Sequence, residues 1–202
     1  MRVDGLMSVA GLILAAGRSS RYGSDKRRAR LPSGLSLLET VLGTYRQVFD
    51  ALMVVLPPDD AFGEGLCARH GAVVAVNRDV DQGMGRSLAV GVEAALAAWP
   101  NTTGIVVGLA DMPLVSAEAV RAVKAQLMTS GQPVVPIFEG RLGQPRGLPR
   151  RLFPRLLGLT GDEGARGLVD WEQAIQLAVS CPGVLIDVDR PADLALPGMP
   201  RV

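Results

Sequence analysis

The chain of 202 residues is 48% hydrophobic and 20% charged, with a formal net charge of +1; that is a globular composition, with neither a disorder signature nor a field to recruit polyanions. Two Trp, two Tyr and four Phe are few for a protein that grips single strands by base stacking. No apolar run reaches the ~18 residues of a spanning helix, so neither nucleic acid nor membrane is an expected partner.

In chain order, "MRVDGLMSVAG" lacks the apolar core of an export signal, so a cytoplasmic location is expected. Cys67 and Cys181 form no CxxC pair and are expected to be buried thiols in a reducing compartment. His70 is the single histidine, so a nitrogen and sulfur zinc site is not expected; any metal would be held by carboxylates, which points to Mg²⁺. The runs 9–15, 51–56, 72–76 and 104–110 are apolar and bounded by Gly, Pro or Asn, as buried strands of a mainly parallel sheet are. The stretches 36–49, 59–71, 85–99 and 116–128 between and after them have helical patterning, the last with Ser116 as N-cap. Strand and helix alternate to residue 128, predicting a doubly wound α/β unit. Beyond Gly131 the rhythm changes: two strands around a Gly-rich turn, a short helix near 150–159, and a final strand over 183–189. One domain spanning 1–202 is expected, with its ligand crevice beyond the carboxyl ends of the strands.

The loop after the first strand carries Gly17 and Gly23 among Arg18, Arg21, Lys26, Arg27, Arg28 and Arg30. Glycines let backbone N–H groups approach phosphate, and the cations offset its charge. The spacing is neither GxxxxGK[ST] nor GxGxxG; "GEGLCA" (63–68) fits a looser dinucleotide pattern but lies within a helical stretch. Phosphate binding and a solvated basic loop both remain open on charge and spacing alone, with Arg27, Arg28 and Arg30 leaning to solvent.

The segment "LAAGRSSRYGSDK" resembles the LxAGxxxRxGxxK signature of nucleotidyltransferases that activate sugars, alditols and cofactors, matching at Ala16, Gly17, Arg21, Gly23 and Lys26. "QGMGRSLAVGVEAA" is similar to the substrate loop of that family, and "VVGLADMPLVS" to its strand ending in a metal-binding aspartate. "LTGDEGARGLV" and "DVDRPADL" resemble the branch that nucleotidylates molybdopterin, and the likeness, over about 9–195, is greatest to molybdenum cofactor cytidylyltransferases.

That resemblance implies a Rossmann-like three-layer sandwich with a mixed, mainly parallel sheet. It also implies transfer of CMP from CTP to the molybdopterin cofactor with release of pyrophosphate. Arg21, Lys26 and Asp111 would be catalytic. Ala15, Ala16, Gly17, Arg18 and Ser19 would cradle the nucleotide, and Asn77, Gly83, Gly85 and Gln144 would face nucleotide or acceptor. Asp111 and Asp189 would hold Mg²⁺, with Asp187 the competitor of Asp189; Asp193 serves the first turn of a terminal helix. Partners would be CTP or another NTP, molybdopterin, and a molybdoenzyme or its chaperone. In the resembled group, guanylyl-transferring members read LAGG and cytidylyl-transferring ones LAAG, as here; the methyl of Ala16 would crowd a purine.

Gln144 stands where close relatives carry His and cannot change charge near neutrality. Among Arg141, Arg146, Arg150, Arg151 and Arg155, one or two would meet an acceptor phosphate and the rest face water. Asp162 is read either as the N-cap of a helix pairing with Arg166 or as part of a lid. The alternatives are a nucleotidyltransferase for a sugar phosphate or other small phosphate, and a catalytically silent nucleotide-binding partner in molybdoenzyme maturation.

Overall fold

The computed structural model describes residues 8–17 and 22–195. The first two thirds alternate as expected: β1 (Ser8–Leu14), α1 (Leu37–Arg46), β2 (Leu52–Leu56), α2 (Ala61–His70), β3 (Val73–Val76), α3 (Gly83–Ala98), β4 (Thr102–Leu109) and α4 (Ala117–Ser130). Short polar side chains start three of the helices. Ser36 Oγ accepts from Glu39 N at 3.2 Å, Asp60 Oδ1 from Gly63 N at 3.0 Å, and Ser116 Oγ from Ala119 N at 3.2 Å, each satisfying an amide that the first helical turn leaves unpaired. "GEGLCA" falls inside α2 and is a helix, not a dinucleotide loop.

The remaining elements are β5 (Val134–Phe138), β6 (Arg141–Leu142), β7 (Arg146–Pro149), α5 (Phe153–Leu156) and β8 (Ile175–Ala178). The eight-stranded sheet runs β3-β2-β1-β4-β7-β5-β6, with β8 on β5. β1, β2, β3 and β4 pair in parallel, β7 is antiparallel to β4 and β5, and β8 is again parallel to β5. Alternate residues of β1 face opposite layers. Val9 and Ile13 pack with Leu38, Leu42, Leu66 and Val120 of α1, α2 and α4. Ala10, Leu12 and Leu14 pack with Leu88 and Val92 of α3 and Phe153 of α5. The result is the expected three-layer sandwich with a mainly parallel sheet.

Two expectations for the last third are corrected. The stretch 133–149 holds three strands rather than two, because Glu139 and Gly140 both take positive φ (48° and 74°) and close a two-residue hairpin turn between β5 and β6. Residues 183–189 form no strand. Pro182–Leu185 is a 3-10 turn, and its carbonyls and amides serve loops: Gln144 N donates to Val184 O at 2.8 Å and Val188 N to Asp111 O at 2.9 Å. The eighth strand is instead β8.

Chain order places the crevice. From β1 the chain moves outward through α1 to β2 and β3, then returns through α3 to β4 on the other side of β1. The loops after β1 and β4 therefore part at their carboxyl ends and leave the gap where α/β sheets bind ligands.

Candidate active site

A cleft of about 460 Å³ opens at that gap, within the range of small-molecule sites. Its floor is Leu14, Ala15, Ala16 and Gly17 after β1 and Leu109, Ala110 and Asp111 after β4; one wall is Lys26 and Arg27, the other Val80, Asp81, Gly83, Met84, Ser87 and Asp162. Arg18, Ser19 and Arg21 lie outside the described residues.

Lys26 heads a short 3-10 turn, Lys26–Arg28, started by Asp25. Its Nζ donates to Asp111 Oδ2 at 2.6 Å, Asp189 Oδ1 at 3.2 Å and Val188 O at 3.2 Å. Burial pulls the Lys26 ammonium down, but the charge of Asp111 and the hydrogen bonds to both carboxylates outweigh it and raise the pKa above the usual lysine range. The ammonium thus occupies a seat made for positive charge. The other oxygen of Asp111, Oδ1, is buried and without a hydrogen-bond partner among the described residues, so its lone pairs can still take a cation. Two carboxylates, one with a spare buried oxygen, fit Mg²⁺, which takes one or two protein carboxylates and completes its shell with water and substrate phosphate. Among the described residues no group of three or more His, Cys, Asp or Glu forms a fuller metal cage. Asp187 is exposed, whereas Asp189 meets Lys26. Asp193 accepts from the amides of Asp189 and Arg190 at 2.9 and 2.8 Å, and so holds the backbone of Asp189.

Arg27 is the main surprise of the basic loop. It does not face solvent: its side chain is 11% exposed, with Nε and Nη2 donating to the two oxygens of Asp25 at 2.8 Å each. Nη1 donates to Asp60, which is 3% exposed, and to Ala15 O at 3.1 Å. One guanidinium therefore ties the loop after β1 to the N-terminus of α2. The sequence marks 59–71 only as a helical stretch, and nothing in that pattern pairs Asp60 with Arg27. Arg28 and Arg30 are exposed, as expected; Arg28 lies 4.7 Å from the Phe62 ring and Arg30 bonds Gly34 O at 2.6 Å.

The opposite wall departs from the expected roles. Asn77 is fully buried and turned inward; its Nδ2 donates to Ser87 Oγ at 3.0 Å and its Oδ1 accepts from Asp79 N at 2.9 Å. It shapes the loop and does not line the cleft, because both ends of its amide are already engaged. Gly83 does line it, at φ 80°. Gly85 does not: its N–H donates to Gly161 O at 2.7 Å, and a Cβ there would press within 2.6 Å of Thr160 O. The start of α3 is thus closed by residues 160–161 and is not an open anion site. Residues 162–168 form turns, so Asp162 caps no helix and faces the cleft instead. Gln144 is also absent from the cleft wall; its backbone N–H is bonded to Val184 O. Asp81, Val80 and Met84 line the cleft unforeseen, since a loop's register cannot be read from periodicity.

A mainly parallel sheet with a Gly-bearing loop after β1 and an acidic residue just after β4 at the switch point is the arrangement that the resemblance to nucleotidyltransferases implies. Residues 11–176 match the MobA-like NTP transferase domain, and the chain belongs to that family. It is 32% identical over 196 residues to the purine catabolism protein PucB of Bacillus subtilis (strain 168), covering 91% of this chain and 92% of that protein. It is 32% identical over 193 residues to a probable molybdenum cofactor guanylyltransferase of Mycobacterium avium (strain 104), covering 93% and 94%. Among solved structures it superimposes on Rv0371c from Mycobacterium tuberculosis H37Rv with a TM-score of 0.78 at 31% identity, covering 94% and 96%. A second structure of Rv0371c is a complex with manganese, matched with a TM-score of 0.72 at 30% identity over 92% and 95%, so a divalent metal is compatible with this fold. Among the described residues no helix is long and apolar enough to cross a membrane.

Proposed function

We propose that the protein is a Mg²⁺-dependent cytidylyltransferase that moves CMP from CTP to the phosphate of molybdopterin, releasing pyrophosphate. The observation that carries the nucleotidyl-transfer reading is the convergence of Asp111 and Asp189 on Lys26 at the switch point, with Asp111 Oδ1 unpartnered. In the reaction an acceptor phosphate oxygen attacks the α-phosphorus, and the bond from that phosphorus to the bridging oxygen of the β-phosphate breaks. The protein's task is alignment and the neutralisation of charge growing on the leaving group. Asp111 and Asp189 would hold Mg²⁺, which when bound supplies charge stabilisation to the phosphates. Lys26 would meet triphosphate oxygens, and Arg21 with the backbone of Gly17, Arg18 and Ser19 would complete the cradle that the sequence resemblance implies. Asp81 and Asp162 on the far wall accept hydrogen bonds and suit ribose hydroxyls or a base amino group.

The preference for CTP rests on Ala16, which lines the cleft floor at 5% exposure and places a methyl where glycine would leave room for a purine. A methyl is worth only ~1–3 kcal/mol of discrimination. GTP is the second reading, favoured by the name of the M. avium relative. Titration calorimetry with Mg·CTP and Mg·GTP, with pyrophosphate release on molybdopterin, decides between them. Tighter CTP binding and faster cytidylyl transfer are expected; faster guanylyl transfer overturns the base assignment alone, and no pyrophosphate with either nucleotide overturns molybdopterin as the acceptor.

A further inference from the structure

The chain itself supplies a cation to the seat at the switch point. Lys26 Nζ lies 2.6 Å from Asp111 Oδ2 and 3.2 Å from Asp189 Oδ1, and it also donates to Val188 O at 3.2 Å. These acceptors come from two loops that the fold joins. Asp111 follows β4, Val188 and Asp189 follow the turn Pro182–Leu185, and Val188 N donates to Asp111 O at 2.9 Å. Lys26 arrives from a third segment, held in place by its neighbour Arg27, which binds Asp25, Asp60 and Ala15 O. The Lys26 side chain is only 15% exposed, so water and salt screen its attraction to the carboxylates little.

Asp111 Oδ2 and Asp189 Oδ1 cannot hold this ammonium and a divalent ion at once. Mg²⁺ takes carboxylate oxygens at about 2.0–2.1 Å, which leaves no lone pair of theirs aimed at an N–H donor. Two cations crowded into the same gap also repel. An ammonium turned out of the seat gives up two charged partners and needs another anion within its reach. Lys26 and Asp111 both line the nucleotide cleft, where a triphosphate would bring that anion. The spare Asp111 Oδ1 gives the carboxylate a further hold on a metal ion once Nζ has turned away.

We infer that Lys26 guards the metal seat: it competes with a divalent cation for Asp111 and Asp189, and yields fully only to a cation that arrives with a triphosphate. The identity of the triphosphate rests on the nucleotidyl-transfer reading; the competition rests on the contacts of Nζ. Lys26 thereby acts in opposite senses on two events. It weakens the binding of metal alone and strengthens the binding of metal with nucleotide, whereas a lysine that only gripped phosphate would affect the second alone.

The test titrates Mn²⁺ into the full chain without nucleotide and counts the free ion by its electron paramagnetic resonance signal. Lys26→Met keeps the length of the side chain and removes its charge, and should bind Mn²⁺ about tenfold more tightly than wild type. Adding Asp111→Asn to Lys26→Met should abolish that gain, which places the ion at the seat. With CTP or GTP present the order should reverse, wild type binding Mn·nucleotide more tightly than Lys26→Met. Lys26→Gln, which keeps an N–H donor beside the carboxylates, replaces Lys26→Met should the latter fail to fold, and the same gain is expected of it. Equal Mn²⁺ affinity in wild type and the neutral variant overturns the competition, as does a gain that survives Asp111→Asn. Mn·nucleotide binding that is no weaker in the variant overturns the handover to phosphate. Failure of wild type to bind Mn²⁺ with either nucleotide instead overturns the transferase reading, and the nucleotide-free titration still decides the competition.

Discussion

Replacing Arg27 by alanine separates the structural from the solvated reading of the basic loop. In the wild type its guanidinium is shared by Asp25, Asp60 and Ala15 O, at 11% side-chain exposure against 3% for Asp60. Truncation leaves the Asp60 carboxylate buried, with the bond from Gly63 N at 3.0 Å still in place. Breaking a buried pair in this way costs ~3–5 kcal/mol; the half-exposed Asp25 side adds less than ~1 kcal/mol. For a chain of this length that lowers Tm by roughly 10 °C. Arg28→Ala is the matched control: at 56% exposure, with a 3.3 Å contact to Asp25, it should cost under ~1 kcal/mol. Urea unfolding at pH 7 followed by circular dichroism measures both. A double variant, Arg27→Met with Asp60→Ser, removes the charges together while a serine still caps α2, and should recover most of the loss. Should Arg27→Ala lose no more stability than Arg28→Ala, this guanidinium does not anchor the loop after β1.

Asp111→Asn keeps shape and removes one negative charge, so turnover should fall about 10²-fold or more with little change in Tm; turnover within a few-fold of wild type removes Asp111 from the mechanism. Lys26→Ala should weaken Mg·NTP binding in calorimetry and Arg28→Ala should barely alter it, whereas equal small effects would return the loop to a solvated role. Cys67 is pushed up to about 11, first by burial and then by Asp60 and Glu64, so in the native protein it should resist iodoacetamide at pH 8 and react once unfolded. The sign follows: the thiol form is favoured by folding, so this contribution is whole below the unfolded pKa near 8.5 and fades as pH rises toward the folded value. Rapid native alkylation of Cys67 would refute it.

The sheet from β1 to β4 was legible because its strands are apolar runs between breakers, and three of the four long helices start at Ser or Asp. The last third was not. β8 reads "IQLA" with alternate residues exposed, too short and polar to stand out. "GVLIDVD" has a strand's composition, yet Pro182 begins a 3-10 turn and Gly183 packs so tightly on Leu114 O that the segment is held by loops and not by a ladder. At the site, Lys26, Asp111 and Asp189 could be named in advance because each ends or follows a recognisable motif. Arg27 with Asp60, and the guanidinium of Arg146 on the Trp171 ring, could not, since both pairs are made by tertiary packing between elements remote in the chain.

All eight strands fall within residues 8–178, whereas Val188 and Asp189, two of the groups that hold the Lys26 ammonium, come after the last of them. Biosynthesis runs from the N-terminus, so every backbone ladder has its residues before the carboxylate that finishes the cation seat has been added. A nascent or C-terminally clipped chain can thus contain every strand residue and still lack two of the groups that hold Lys26. The order in which the residues are made thus sets the frame of the molecule ahead of the ion-pair network that closes on it.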